Sequence, residues 1–317
     1  MLETVLVTGA TGLIGTALVR HFASAGRRVI AAVRSRAKAE ALFGALPGVE
    51  IMVWDVLEPL PEQALALGRI DGLVHAASET SSRAFVEKPV ETIRSVLAGT
   101  EHALDAARRL NVSSMVYLST MEVYGSPATD PVTESDYGFL DPLAVRSSYP
   151  EAKRLAENLC VAYHAQYGVP VKVARLTQTF GEGVVYDDPR VFAAFARAIL
   201  EHRDIVLKTA GTTARCYCYI GDAVSAIALL LARGENATAY TVANEATYCT
   251  IREMAERLVA AYPESGSRVV IDLSQATGCG FAPPFKMRLD CTRLKALGWE
   301  PKVGLDEMFR RLIASLA

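Results

Sequence analysis

Tyr149-Pro150-Glu151-Ala152-Lys153 sets a phenol and an ammonium group one helical turn apart on one face of a helix. A free tyrosine titrates near ~10, so its phenolate is scarce at neutral pH unless cations favour it. A nearby Lys153 cation does so, and the positive ring of an oxidised nicotinamide would do so too, giving a base usable near neutrality. Thr120, at the carboxyl end of a predicted strand, can donate its hydroxyl to the same substrate oxygen. Together they make a proton relay, which needs a hydride carrier beside it. The start of the chain offers a seat for one. Val5-Leu6-Val7 reads as a buried strand, Gly9, Gly12 and Gly15 follow at intervals of three, and residues 16–25 read as a helix. Glycines let the backbone turn tightly and approach a ligand, and the free N–H groups of a first helical turn favour a pyrophosphate.

The elements that must position these groups alternate. After the first helix, strands are predicted at 28–33, 48–53, 72–77, 114–119 and 171–176, with long helices at 92–110 and 149–167. Strand–helix alternation implies an α/β fold with a doubly wound parallel sheet and right-handed crossovers. Ligands sit beyond the carboxyl ends of such strands, so Thr8, Arg34, Asp55, Ala76 and Thr120 are expected around one crevice. Beyond Thr177 the alternation lapses into loops, a helix at 190–202, a strand at 205–208 and helices at 222–232 and 305–316. A dinucleotide-binding domain is therefore expected over 1–176 plus about 217–245, and a smaller C-terminal substrate-binding lobe over about 177–216 and 246–317.

Many NAD-binding turns carry an acid after the second strand, where it meets the ribose hydroxyls. Here the sequence is Val33-Arg34-Ser35-Arg36, and a guanidinium grips a 2′-phosphate by charge-assisted bonds. NADP is thus expected, with NAD the other possibility. The predicted cofactor set comprises Gly9, Thr11, Gly12, Leu13, Ile14, Gly15, Arg34, Arg36, Asp55, Val56, Ala76 and Ala77, with Tyr149 and Lys153 at its reacting end.

Composition excludes several classes. The 317 residues are 51% hydrophobic and 21% charged, with formal net charge −2 and no polybasic tail, which disfavours nucleic acid and anionic membrane as partners. Cys160, Cys216, Cys218, Cys249, Cys279 and Cys291 show neither a C-x-x-C pair nor zinc-like spacing, and His21, His75, His102, His164 and His202 show no ligand spacing. No metal is expected, and the thiols read as small buried groups of a reduced, cytoplasmic protein. With the first strand so near Met1 and the longest apolar run short, neither a signal peptide nor a membrane span is expected.

The combination of Thr8-Gly9-Ala10-Thr11-Gly12-Leu13-Ile14-Gly15, Leu118-Ser119-Thr120-Met121-Glu122-Val123-Tyr124-Gly125 and Y-x-x-x-K resembles the NAD(P)-dependent epimerase/dehydratase group of extended short-chain dehydrogenases/reductases. The resemblance implies a Rossmann-type fold and catalysis by Thr120, Tyr149 and Lys153, with Glu122 as a further candidate. Arg175 to Gly181 is similar to the family's R-x-x-N-x-Y-G element, which carries Gln178 toward a substrate diphosphate; Arg215 corresponds to an arginine that pairs with the nucleotide diphosphate, and Arg288 is a looser second contact. In sugar 4,6-dehydratases the segment reads T-D-E, and Met121 replaces the proton-donating Asp. The resemblance thus implies a nucleotide-sugar-modifying enzyme working through a 4-keto intermediate, of epimerase type, with a decarboxylase or dehydratase as alternatives. A simple NADPH-dependent ketone or aldehyde reductase and a non-catalytic NADP sensor are the rival classes. Family members dimerise through the two long helices, so a homodimer is implied as well.

Overall fold

A computed structural model describes residues 2–275 and 285–317; Cys279 lies outside the described residues. The amino-terminal part runs β1 (Thr4–Thr8), α1 (Leu13–Ser24), β2 (Arg28–Val33), α2 (Arg36–Phe43), β3 (Val49–Val53), β4 (Gly72–His75), α3 (Ala84–Glu87), α4 (Pro89–Arg109), β5 (Ser114–Thr120), α5 (Ser148–Tyr167) and β6 (Val171–Leu176). It continues with β7 (Gln178–Phe180), α6 (Val191–Leu200), β8 (Ile205–Leu207), β9 (Ala214–Tyr219), α7 (Ile220–Arg233), β10 (Ala239–Val242) and β11 (Asn244–Thr250). Last come α8 (Ile251–Ala261), β12 (Val269–Ile271), β13 (Lys286–Met287), α9 (Thr292–Lys295) and α10 (Leu305–Leu316).

Seven strands pair in the order β10-β6-β5-β4-β1-β2-β3, every pair parallel. Strands buried on both faces must be apolar throughout, and β1 (Thr-Val-Leu-Val-Thr) is buried at all five positions. Alternation along it splits the core. Val5 and Val7 pack with Leu18, Val19, Ile227 and Leu230 of α1 and α7, whereas Leu6 faces Val96 and Leu104 of α4 and Ala156 and Cys160 of α5. The carboxyl ends of β1, β2, β4 and β5 open on one side, as strand alternation implies.

Local chemistry sets the helix ends. Pro89 occupies the first turn of α4 and Pro150 that of α5, where a missing N–H costs nothing. Gly168, in the left-handed region at φ 72°, stops α5. Strand β4 ends at His75 rather than residue 77, so Ala76 and Ala77 belong to the loop over the crevice.

Two further sheets form the second lobe: β11-β9-β13 with β7 on β9, and the pair β12-β8. Their core joins Phe180, Phe192, Tyr217, Phe309 and Leu312. The boundary expected near residue 217 falls inside β9, which pairs wholly with this second lobe, while α7 and β10 return to the main sheet. Asp222 of α7 ties the parts together. Its carboxylate accepts from the amides of Lys302 (3.0 Å) and Val303 (2.9 Å), and its carbonyl accepts from Trp299 Nε1 at 3.2 Å.

Candidate active site

The turn from β1 into α1 requires glycine at two places for different reasons. Gly9 has φ +64°, and a Cβ there would lie 2.7 Å from the backbone of Ala77; a Cβ on Gly15 would lie 2.2 Å from the Gly9 carbonyl oxygen. Gly12 is the open one. A Cβ on it would meet only that same oxygen, at 3.3 Å, so its bareness serves the space in front of the helix rather than the fold. Gly12 donates its N–H to Gly9, while the N–H groups of Leu13, Ile14 and Gly15 have no partner among the described residues. No side chain caps α1 and no acid stands in its first turn. Bare amides, an uncompensated dipole end and a cleared approach suit a dinucleotide pyrophosphate.

Along the rest of the crevice, Arg34 is exposed after β2 without a partner among the described residues. Arg36 is partly committed, 3.8 Å from Glu40 one turn on. Asp55 accepts from Leu57 N (3.1 Å) in the turn after β3. Val56 packs on Gly99 of α4, where a Cβ would be 3.3 Å from Val56 Cγ2, and its carbonyl accepts from His102 at 2.8 Å.

Strand β5 delivers Thr120 and helix α5 delivers Tyr149, and the Thr120 hydroxyl is near enough to act on the phenol. Phe85 of α3 stacks on the Tyr149 ring, centroids 4.1 Å apart and planes within 6°. Sequence reading missed this partner, because 64 positions separate the rings and no spacing rule links them. Burial is the main influence on the phenol and pushes it well above its ordinary range; the Glu122 charge adds to this, and the Thr120 hydroxyl and the Arg146 charge oppose it. The Lys153 ammonium lies 5.9 Å from the Tyr149 ring centre. Its Nζ also donates to the Leu118 carbonyl at 2.9 Å and lies 4.7 Å from the Tyr117 ring centre. Burial lowers the Lys153 ammonium to about 8, with Glu157 opposing the shift.

Behind β5, Glu157 accepts from Ser119 Oγ (2.5 Å) and from Arg175 Nε and Nη2 (3.1 and 2.7 Å), locking the strand end beside Thr120 against α5. Glu122 pairs with Arg146 at 2.9 Å. Met121 turns away into the core, its sulfur accepting from Thr177 Oγ1 at 3.2 Å, so no acid takes the place expected of a dehydratase. Among the described residues, no cluster of His, Cys, Asp and Glu could hold a metal ion. The five described cysteines are buried and unpaired.

On the second lobe, Gln178 pairs in register with Tyr217, two positions along β9 from Arg215, which puts Gln178 and Arg215 on one face. The Arg215 guanidinium lies 4.9 Å from the Phe285 ring centre, and its buried Nε has no acceptor among the described residues, as befits a cation awaiting an anion. Arg288 is exposed, over Tyr248 and 3.8 Å from Asp130. The loop carrying Tyr186 and Asp188 is held by its own bonds, to Glu201 (2.6 Å) and Arg190 (2.6 Å).

Residues 5–244 match the NAD dependent epimerase/dehydratase family. UDP-glucuronic acid decarboxylase 6 of Arabidopsis thaliana is 32% identical over 311 residues, covering 96% of this chain and 85% of that protein. The UDP-glucose 4-epimerase of Thermus thermophilus, solved with NAD, superposes with TM-score 0.81 at 26% identity, covering 98% of each chain. That of Thermotoga maritima, solved with UDP-glucose, superposes with TM-score 0.85 at 22% identity over 98% of each chain, a likeness of fold.

Proposed function

The chain belongs to the NAD-dependent epimerase/dehydratase family, and from that membership we propose that it modifies a nucleotide sugar by withdrawing hydrogen from a sugar hydroxyl carbon, commonly C4. The placing of Tyr149 with Lys153, its ammonium 5.9 Å from the phenol ring centre, in a fold that also presents a bare-amide dinucleotide turn carries this reading. Bound NAD(P) supplies the hydride acceptor and a positive ring. Tyr149 takes the hydroxyl proton, and Thr120 holds the same oxygen. With its phenol raised by burial, Tyr149 depends on cationic charge gathered in the crevice, to which Arg146 contributes. Lys153, fastened to Leu118, fixes the floor at the reacting end of the cofactor.

The remaining assignments belong to the same reading. The amides of Leu13, Ile14 and Gly15 take the pyrophosphate; Asp55 and Val56 flank the adenine, and Ala76 and Ala77 line the passage. Arg34, unpaired among the described residues, favours NADP, with Arg36 a lesser contributor. Gln178, Arg215 and Arg288 serve the substrate diphosphate. Residues 1–176 with α7 and β10 bind the cofactor, and the second lobe binds the sugar nucleotide. Epimerisation and decarboxylation both follow from a 4-keto sugar, and the likeness to the Arabidopsis decarboxylase favours the second as the alternative to an epimerase. The apolar stripe Val90, Ile93 and Leu97 on α4, beside Leu155 and Leu159 on α5, supports a homodimer built on these helices.

The test is Tyr149→Phe. Turnover of the nucleotide sugar should drop by about 100-fold or more, the usual weight of a general base, while both proteins titrate identically with cofactor and bind NADP more tightly than NAD. Undiminished turnover overturns the mechanism, and tighter NAD binding overturns the Arg34 assignment alone.

A further inference from the structure

We infer that Arg146 selects a substrate whose sugar carries a carboxylate, releasing Glu122 to seat that carboxylate in its place. This rests on the crevice being a nucleotide-sugar site. Arg146 lies in a single 3₁₀ turn, Val145–Ser147, three positions before Tyr149. Its guanidinium stands 5.0 Å from the centre of the Phe85 ring, the ring that stacks on Tyr149. Glu122 is equally close to the chemistry, its amide donating to Thr120 Oγ1 at 3.3 Å. The pair thus borders the base itself, whereas Arg215 and Arg288 lie on or beside the second-lobe sheet.

The chain contains a second arginine–glutamate pair, and the contrast is informative. Arg175 meets Glu157 with both Nε and Nη2, uses Nη1 on the Glu134 carbonyl (3.0 Å), and is almost sealed, the side chains being 2% and 11% exposed. Every edge of that guanidinium is in use, as a fixed structural tie requires. Arg146 reaches Glu122 through Nη2 alone, at 2.9 and 3.2 Å, and the side chains are 35% and 28% exposed. Its Nε and Nη1 have no acceptor among the described residues. Both bidentate edges of a guanidinium, Nε with Nη2 and Nη1 with Nη2, run through the Nη2 that Glu122 holds, so Arg146 keeps two spare donors but grips a second carboxylate bidentately only once Glu122 lets go.

A neutral hexose entering here leaves the Glu122–Arg146 pair intact and gains little from it. A sugar acid brings a second negative charge beside Glu122, which is repelled unless the guanidinium turns to it. Exchange restores one cation to one anion. It also leaves the Glu122 carboxylate free next to Thr120, beside the sugar carbon that bears the acid group. Charge on either partner is felt at Tyr149, Arg146 favouring the phenolate and Glu122 opposing it.

The experiment measures calorimetric binding of UDP-glucuronate and UDP-glucose to cofactor-loaded wild type, Arg146→Gln, Arg146→Lys and Glu122→Gln. Wild type should bind the acid about 10-fold more tightly or better. Arg146→Gln should lose that preference, weakening UDP-glucuronate by roughly 10- to 100-fold with UDP-glucose changed by less than about 3-fold, the loss expected when one partner of a charged pair is removed. Arg146→Lys should recover part of it. Glu122→Gln, freed of the competing anion, should bind UDP-glucuronate at least as tightly as wild type. Equal weakening of both sugars by Arg146→Gln, or a wild-type preference for UDP-glucose, overturns the inference while leaving the nucleotide-sugar reading standing. Failure of wild type to bind either sugar overturns both.

Discussion

His75 is buried at the end of β4, sharing a hydrogen bond with Thr8 Oγ1 at 2.8 Å, and burial together with the Lys153 charge lowers its imidazole from 6.5 to about 3. Between those values the unfolded chain binds a proton that the folded chain refuses, so stability is complete above 6.5 and declines as pH falls toward 3. From pH 6.5 to about 4.5, above most carboxylate titration, urea unfolding should show a loss of about 1.4 kcal/mol per pH unit from this residue. His75→Asn should flatten most of that slope, leaving the smaller share of His21, whose imidazole is also lowered, and parallel slopes in the two proteins would refute the assignment. At this scale the sequence was readable where chemistry is local. Tyr149 and Lys153 are one turn apart and Gly9, Gly12 and Gly15 share one turn, so spacing alone pairs them. Phe85 reaches Tyr149 from 64 positions away, and Arg146 and Glu157, though near Tyr149 and Lys153 in the chain, find their partners Glu122 and Arg175 at separations of 24 and 18, of which periodicity carries no record. The bond from Lys153 to the Leu118 carbonyl of β5 is of the same kind, made where α5 packs on the sheet.

Between β1 and α1 the two outer glycines and the middle one do different work, and substitution should separate them. Gly15→Ala drives a methyl into the Gly9 carbonyl, 2.2 Å away, and should cost about 1–3 kcal/mol in the ligand-free protein, the range for overpacking. Gly12→Ala meets one atom at 3.3 Å and should leave the ligand-free melting temperature nearly unchanged while weakening cofactor binding. Calorimetry of both variants with and without NADP tests this, and equal destabilisation by the two would contradict the division. Strands β1 to β6 and helices α4 and α5 were readable because apolar runs and amphipathic periods are long there. Strand β10 escaped, being four residues, Ala-Tyr-Thr-Val, with no pattern to separate it from a loop. Strands β7 and β13 are shorter still, and β11 is mostly polar with an irregular register, so only its partner β9 makes a strand of it.

At the level of the whole molecule, α4 and α5 pack side by side and leave Val90, Ile93 and Leu155 exposed on a face that water disfavours. Light scattering should report twice the mass of the chain, and a paired Ile93→Glu and Leu155→Glu variant should halve it; a wild-type monomer would remove the proposed dimer. The main sheet imposes an order on biosynthesis. One of its two edge strands, β10, comes from residues 239–242, after α6, β8 and β9 have already been made. While the first 176 residues emerge from the ribosome, β6 is a row of unanswered amides and carbonyls on a strand otherwise ready to be enclosed. A message truncated in that interval yields a nascent chain with an adhesive flank, which joins its neighbours instead of finishing itself.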